Sequence, residues 1–70
     1  MIELTERQKM VYDFIRDFIK EKEFPPTIRE VGDRFKISVK GAFDHIEAIE
    51  RKGYIRRYPG ARAIRILKHV

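Results

Sequence analysis

Residues 27–53 read TIREVGDRFKISVKGAFDHIEAIERKG and carry the signals of two capped helices joined by a short turn. Thr27 and Glu30 form a Thr-x-x-Glu capping box directly after Pro25 and Pro26, so a helix begins here with its first amides satisfied. Ile28, Val31 and Phe35 recur at three and four and form its buried stripe. Gly32 sits mid-helix, where glycine costs ~1 kcal/mol against alanine. A close approach by the next helix, which a side chain would block, is the expected compensation. Lys36 and Ile37 make the turn, with Ile37 plugging the angle between the helices, and Ser38 is the N-cap of the second helix. At about 100° per residue, Val39, Ala42, Ile46 and Ile49 share one arc, and Lys40, Asp44, Glu47 and Arg51 lie opposite. Lys52-Gly53 ends this helix with a cation in the last turn and a glycine suited to a left-handed C′ position.

Upstream, Thr5 and Gln8 form another capping box, and Met10, Val11, Phe14, Ile15, Phe18 and Ile19 give a helix with one buried face. This helix ends near residues 22–24, because Pro25 and Pro26 cannot continue it. Downstream, residues 54–57 and 63–67 are short β-prone stretches around Tyr58-Pro59-Gly60-Ala61-Arg62, a hairpin signal. Ile55, Ile64 and Ile66 are the residues that dock such a hairpin on the helices, with Leu67 closing the end. The order is helix, helix, turn, helix, hairpin. It predicts a mainly α fold, a winged helix-turn-helix with three helices and a two-stranded β-hairpin wing, as one domain over residues 1–70.

Seventy residues allow one small core. Without cysteine there is no disulfide framework or thiolate metal site, which fits a cytoplasmic setting. No apolar run reaches the ~20 residues of a membrane span, and the first residues lack a signal-peptide core. A soluble cytosolic protein with no membrane partner is expected. Residues 1–26 hold five Lys/Arg and six Asp/Glu, a net charge of −1, whereas residues 27–70 hold eleven and five, a net of +6. From Arg51 to Val70 there are seven Lys or Arg and no Asp or Glu. Solubility alone does not confine the excess to one half, so the distribution favours a face for a polyanion.

Catalysis finds little support. The one serine, Ser38, is used as a cap, and neither His45 nor His69 has a carboxylate at an orienting spacing. No phosphate-cradling glycine loop is present, and no metal, cofactor or small-molecule ligand is expected. Nucleic-acid chemistry is better served. The solvent face at the start of the third helix offers Lys40, Gly41, Phe43 and Asp44 as base-reading candidates. Lysine donates to guanine O6 and N7, and aspartate accepts from cytosine N4. Phe43 has two open readings: an inward core flank, or an outward apolar surface for thymine methyl groups. Gly41 either allows close approach to the groove or relaxes the first turn. Lys40 also suits phosphate.

Phosphate-contacting candidates are Thr27 and Arg29 at one helix N-terminus, Ser38 at the next, and Arg51 and Lys52. Arg56 and Arg57 lie on opposite sides of a strand and cannot both face DNA. Tyr58, Gly60 and Arg62 form the tip of the wing, with Arg62 reaching the minor groove or its flanking phosphates.

LTERQKMVYDFI, FPPTIREVGDRF, GAFDHIEAIERKGYI and the closing RAIRIL together resemble the N-terminal DNA-binding domain of the LexA family, the bacterial repressors of the DNA-damage (SOS) response. The PPT-x-x-E and RKG-x-I steps are the most specific parts, and the resemblance spans essentially the whole chain. It implies binding to double-stranded DNA at palindromic operators as a homodimer, one domain per half-site. It also implies, for a longer parent, a C-terminal domain that dimerises and cleaves the parent's own linker with a serine–lysine dyad when RecA filaments form. Those parts lie beyond residue 70, so this chain itself is expected not to be an enzyme. The best-known branch of the family has proline after the capping serine, then asparagine and two glutamates facing the bases. Here those positions are Val39, Lys40, Phe43 and Asp44, and the turn before Ser38 is one residue shorter. A different recognition sequence follows. The competing expectation is a winged-helix protein-interaction module, with Phe43, Tyr54 and Tyr58 in an exposed apolar patch.

Overall fold

Each predicted cap forms, and each sets where a helix begins. The computed structural model describes residues 3–68, so His69 lies outside the described residues. Helix α1 (Glu6–Lys22) starts after Thr5, whose hydroxyl accepts from Gln8 N at 3.2 Å while its own amide donates to Gln8 Oε1 at 3.0 Å. Helix α2 (Ile28–Phe35) repeats the box: Glu30 N donates to Thr27 Oγ1 at 3.0 Å, and Thr27 N to Glu30 Oε1 at 2.9 Å. Helix α3 (Val39–Arg51) is capped by Ser38, whose Oγ accepts from Gly41 N at 3.0 Å.

The turn between α2 and α3 is made by Lys36 in the left-handed region (φ 56°) and by Ile37, whose amide donates to Gly32 O at 3.0 Å. Gly32 is buried, and the reason for its missing side chain is specific. A Cβ there would sit 3.0 Å from Ile37 O and 3.5 Å from Ser38 O. The close approach is made by the backbone of the turn, not by the body of α3 as its mid-helix position suggested. At the other end, Gly53 (φ 89°) donates to Glu50 O at 2.9 Å and Tyr54 N to Ile49 O at 3.3 Å, the paired bonds of a Schellman ending. The chain leaves α3 directly into the hairpin.

Strands β1 (Ile55–Arg57) and β2 (Ile64–Ile66) pair antiparallel, with Ile55 opposite Ile66, Arg56 opposite Arg65 and Arg57 opposite Ile64. Both are shorter than the stretches that predict them. Tyr58 N donates to Ala63 O at 2.8 Å and closes the turn, in which Gly60 takes φ 123°. Alternation turns Ile55 and Ile64 inward and leaves Arg56 and Arg65 exposed.

The core gathers Val11, Tyr12 and Ile15 of α1, Val31 of α2, Ala42, Ile46 and Ile49 of α3, and Tyr54, Ile55 and Ile64 of the hairpin. Four positions depart from expectation. Tyr12 was absent from the apolar stripe of α1 yet is fully buried; its hydroxyl donates to Lys68 O at 2.6 Å, and its ring meets Tyr54 edge-on at 6.0 Å. Met10 is 48% exposed, because the contacts on α1 are taken by the Val11–Tyr12–Ile15 stripe. Val39 is 46% exposed, since as the first residue of α3 it stands with Ser38 and Lys40 at a protruding helix end. Leu67 is 49% exposed, because Ile66 packs inward and the next residue alternates outward.

Gly32→Ala sets a gain of ~1 kcal/mol in helix propensity against a steric conflict with hydrogen-bonded backbone. We expect a net loss of about 1–2 kcal/mol, read as a fall of roughly 4–15 °C in melting temperature. An unchanged or raised melting point would show that the turn does not depend on this contact.

Candidate nucleic-acid interface

The three helix N-termini differ in what already occupies them. Glu30 lies in the first turn of α2, and its carboxylate accepts from Thr27 N, so a built-in anion sits at that positive end. The first turn of α3 contains no acidic residue. Ser38, Val39 and Lys40 are all exposed there. Of the two helix starts expected to hold phosphate, that of α3 is the one left open to an external anion. At α2, Arg29 is exposed, while Thr27 is half-buried and spends its backbone amide and hydroxyl oxygen on Glu30.

On α3, Lys40 Nζ lies 3.4 Å from Asp44, an i,i+4 pair with side chains 83% and 55% exposed. Such a pair is weak in water and readily exchanges for other partners. Phe43 is half-buried, with the Arg57 guanidinium carbon 4.6 Å from its ring centroid. Phe43 thus stands on a flank of α3 beside the hairpin, partly covered by that cation and partly exposed. Gly41 does not open the helix toward a groove. A Cβ there would stand 3.3 Å from Ser38 Oγ and 3.7 Å from Ile37 Cβ, so the glycine makes room for the cap and the turn.

Three cations expected at the interface have partners within the fold. Arg62 is held by both oxygens of Glu30 at 2.7 and 2.8 Å and donates to Pro25 O at 3.1 Å. Its guanidinium also lies over Phe24, 4.8 Å from the ring centroid. In the free chain it fastens the hairpin turn to the α1–α2 connection, so a reach to the minor groove would exchange this pair. Lys52 Nζ donates to Gln8 Oε1 at 2.6 Å and to Glu3 O at 3.0 Å, tying the end of α3 to the start of α1 instead of standing free for phosphate. Arg51 is exposed but sits twelve residues, roughly 18 Å, along α3 from Val39, beside Glu47 at 3.9 Å. At the wing tip, Tyr58 and Gly60 are exposed. An open crevice of about 370 Å³ lies under the tip, lined in part by Ile28, Glu50, Arg57 and Tyr58. Tyr54, expected in an exposed apolar patch, is 3% exposed, which removes it from any protein-binding surface.

Sequence reasoning had no sight of one pair. Arg56 and Arg65 are direct cross-strand neighbours on the outer face of the hairpin. Like charges in that relation repel, so the pair is a standing attraction for an anion. The alternation of each strand contained the signal; the register that joins them did not show in the sequence. Among the described residues no His, Asp or Glu cluster could hold a metal ion, and no helix is long and apolar enough to cross a membrane.

Three helices with a tight α2–α3 turn, an open α3 N-terminus and a basic hairpin define a winged helix-turn-helix domain of the DNA-binding class. The comparisons agree. The chain belongs to the LexA DNA-binding domain family, whose pattern it matches over residues 1–63. It is 56% identical to the LexA repressor of Leptospira biflexa and 51% identical to that of Leptospira interrogans, in each case over 97% of this chain and 34% of the relative. The LexA repressor of Thermotoga maritima is 48% identical over all of this chain and 36% of its own length. The chain therefore spans about a third of the length of the curated relatives it matches.

The Glu30–Arg62 pair makes stability depend on acid. The Arg62 guanidinium, and after it the Thr27 amide, lower the Glu30 carboxyl from an ordinary 4.5 to about 2. A depressed carboxylate stabilises the fold above its unfolded value and loses that contribution as pH falls from about 4.5 toward 2. Glu30→Gln is expected to lower the melting temperature at neutral pH and to flatten the melting profile across that window. Identical profiles for Glu30→Gln and the parent would contradict the role given to the pair.

Proposed function

We propose that residues 1–70 act as one unit that reads half of a palindromic operator, as the operator-recognition part of a LexA-like transcriptional repressor of the SOS response. Family membership supports DNA as the ligand. The observation that carries the geometry is the exposed, Ser38-capped start of α3, free of acidic residues in its first turn and joined to a hairpin with two outward arginines. In this reading α3 enters the major groove N-terminus first, and Lys40, Phe43 and Asp44 face base edges. The Lys40–Asp44 pair opens on contact, lysine toward guanine and aspartate toward cytosine. Phosphate is held by the α3 amides beside Ser38, by Arg29, and by Arg56 with Arg65. Tyr58 and Gly60 bring the wing tip against the neighbouring backbone.

In this reading the bonds that Arg62, Lys52 and Thr27 make within the fold give them different work. They keep the wing and the helix ends in place so that the exposed cations meet the duplex together. Arg51 contributes field at a distance instead of a contact.

Two domains on one palindrome bind as a homodimer, with dimerisation supplied by a C-terminal domain of a longer parent. That parent would carry the serine–lysine dyad and respond to RecA, in the bacterial cytoplasm at the nucleoid. Linking two half-site readers multiplies affinity through effective concentration, so this chain by itself binds modestly.

With roughly four to six phosphates neutralised per domain, log K should fall against log salt with a slope of about −4 to −5. Fluorescence anisotropy against a labelled duplex between 50 and 200 mM salt, a range chosen as in roughly physiological titrations, reads this directly. Binding indifferent to ionic strength would refute the proposal. Lys40→Ala is expected to shift the sequences selected from a random duplex library, whereas Arg56→Ala should weaken all sequences alike and reduce the slope by about 1. Equal, sequence-blind losses from both variants would overturn this division of roles.

A further inference from the structure

Arg57 is unlike the other cations of the basic half. It lies on the inward side of β1, and its side chain is only 24% exposed. Its contact with Phe43, at 4.6 Å, is the shortest cation–ring approach among the described residues. Two further bonds fix it. The Arg57 amide donates to Glu50 Oε2 at 2.8 Å, and Nε donates to Glu50 Oε1 at 2.9 Å. These bonds, the backbone one foremost, hold the Glu50 carboxyl below its ordinary range.

The spacing explains how the three groups meet. Phe43 and Glu50 are seven residues apart on α3, two turns along one face. A carboxylate two turns away thus anchors a strand residue so that its guanidinium carbon lies over the ring of a half-buried helix residue. Both bonds to Glu50 leave the terminal amino groups of Arg57 unused, and among the described residues no hydrogen bond engages them. The fold therefore sets one cation, held by one carboxylate, at the α3–wing junction over a single ring. An ordinary wing residue facing phosphate would need neither.

We propose that Arg57, anchored by Glu50, is a positioning residue for sequence recognition: it fixes the orientation in which Phe43 meets the bases. The proposal rests on the reading of α3 as the base-contacting helix. A phenylalanine side chain on a helix flank has two rotatable bonds and no polar group to orient it. Stacking against Arg57 restricts both, so the ring presents one apolar edge to the groove, suited to a thymine methyl group. Arginine is required because only a planar guanidinium can lie on a ring face while its Nε bonds a carboxylate. Lysine retains the charge and loses both features.

The test is selection from a random duplex library with the parent chain, Phe43→Ala, Arg57→Met, Arg57→Lys, Glu50→Gln and the Phe43→Ala/Arg57→Met double variant. Thermal melting of each establishes folding; Glu50→Gln retains size and packing if the Arg57 variants melt early. Arg57→Met and Glu50→Gln should relax discrimination roughly two- to fivefold, a cation–π contribution expressed as a ratio. The relaxation should fall only at the base-pair positions that Phe43→Ala alters. Arg57→Lys should not restore it, and the double variant should match Phe43→Ala alone. Changes at other positions, a uniform loss over all sequences, or an unaltered preference in Arg57→Met and Glu50→Gln would each overturn the proposal. If Phe43→Ala itself keeps the parental preference, the assignment of Phe43 as a base-reading residue fails, and the role of Arg57 with it.

Discussion

The contact between Gly32 and the backbone of Ile37 and Ser38 is the constraint from which the site follows. With 3.0 Å from a would-be Cβ to Ile37 O, no other residue fits without displacement, and that approach fixes how the α2–α3 turn is folded. The turn in turn presents Ser38 as a cap and projects the first turn of α3 outward. Gly41 serves the same junction, since its missing side chain leaves space for Ser38 Oγ and Ile37. Two glycines, one on each helix, thus let a turn of three residues join α2 to α3.

The second layer is electrostatic and divides the charged residues by task. Arg62 with Glu30, Arg57 with Glu50, and Lys52 with Gln8 are bonds within the fold. Arg29, Arg56 and Arg65 remain exposed on its surface. A chain with a net charge of +5 does not offer sixteen equivalent cations to a polyanion. It uses some to hold the wing against the helices, which lets the exposed remainder act from fixed positions. Glu30 has a double role: it completes the cap of α2 and grips the wing, and in doing so it fills one of the two helix starts expected to hold phosphate.

Local chemistry made the fold legible. The three caps, the paired prolines, Gly53 and the Pro59-Gly60 turn act within a few residues of one another, and the structure realises all of them. What escaped depends on distance along the chain. Tyr12 is buried because its hydroxyl finds Lys68 O, 56 residues away. Arg62 and Lys52 look like free cations until Glu30 and Gln8, 32 and 44 residues distant, are brought beside them. Val39 satisfied the helical period of α3 and is still exposed, because periodicity describes a face and not how far along it the neighbours extend. Of the site, Lys40, Asp44 and Ser38 lie where the sequence placed them, whereas Phe43, Gly41 and the wing arginines acquired their environments from tertiary contacts.

The central claim is that the exposed start of α3 and the outer hairpin together form the DNA-binding face. Titrating the isotopically labelled chain with a short duplex at low salt, and following backbone amide shifts by NMR, tests it most directly. The account predicts the largest shifts at Ser38–Asp44, Arg56, Tyr58, Gly60 and Arg65, with little change along the Met10–Asp17 face of α1. Shifts concentrated on that α1 face, or spread evenly over the molecule, would contradict it.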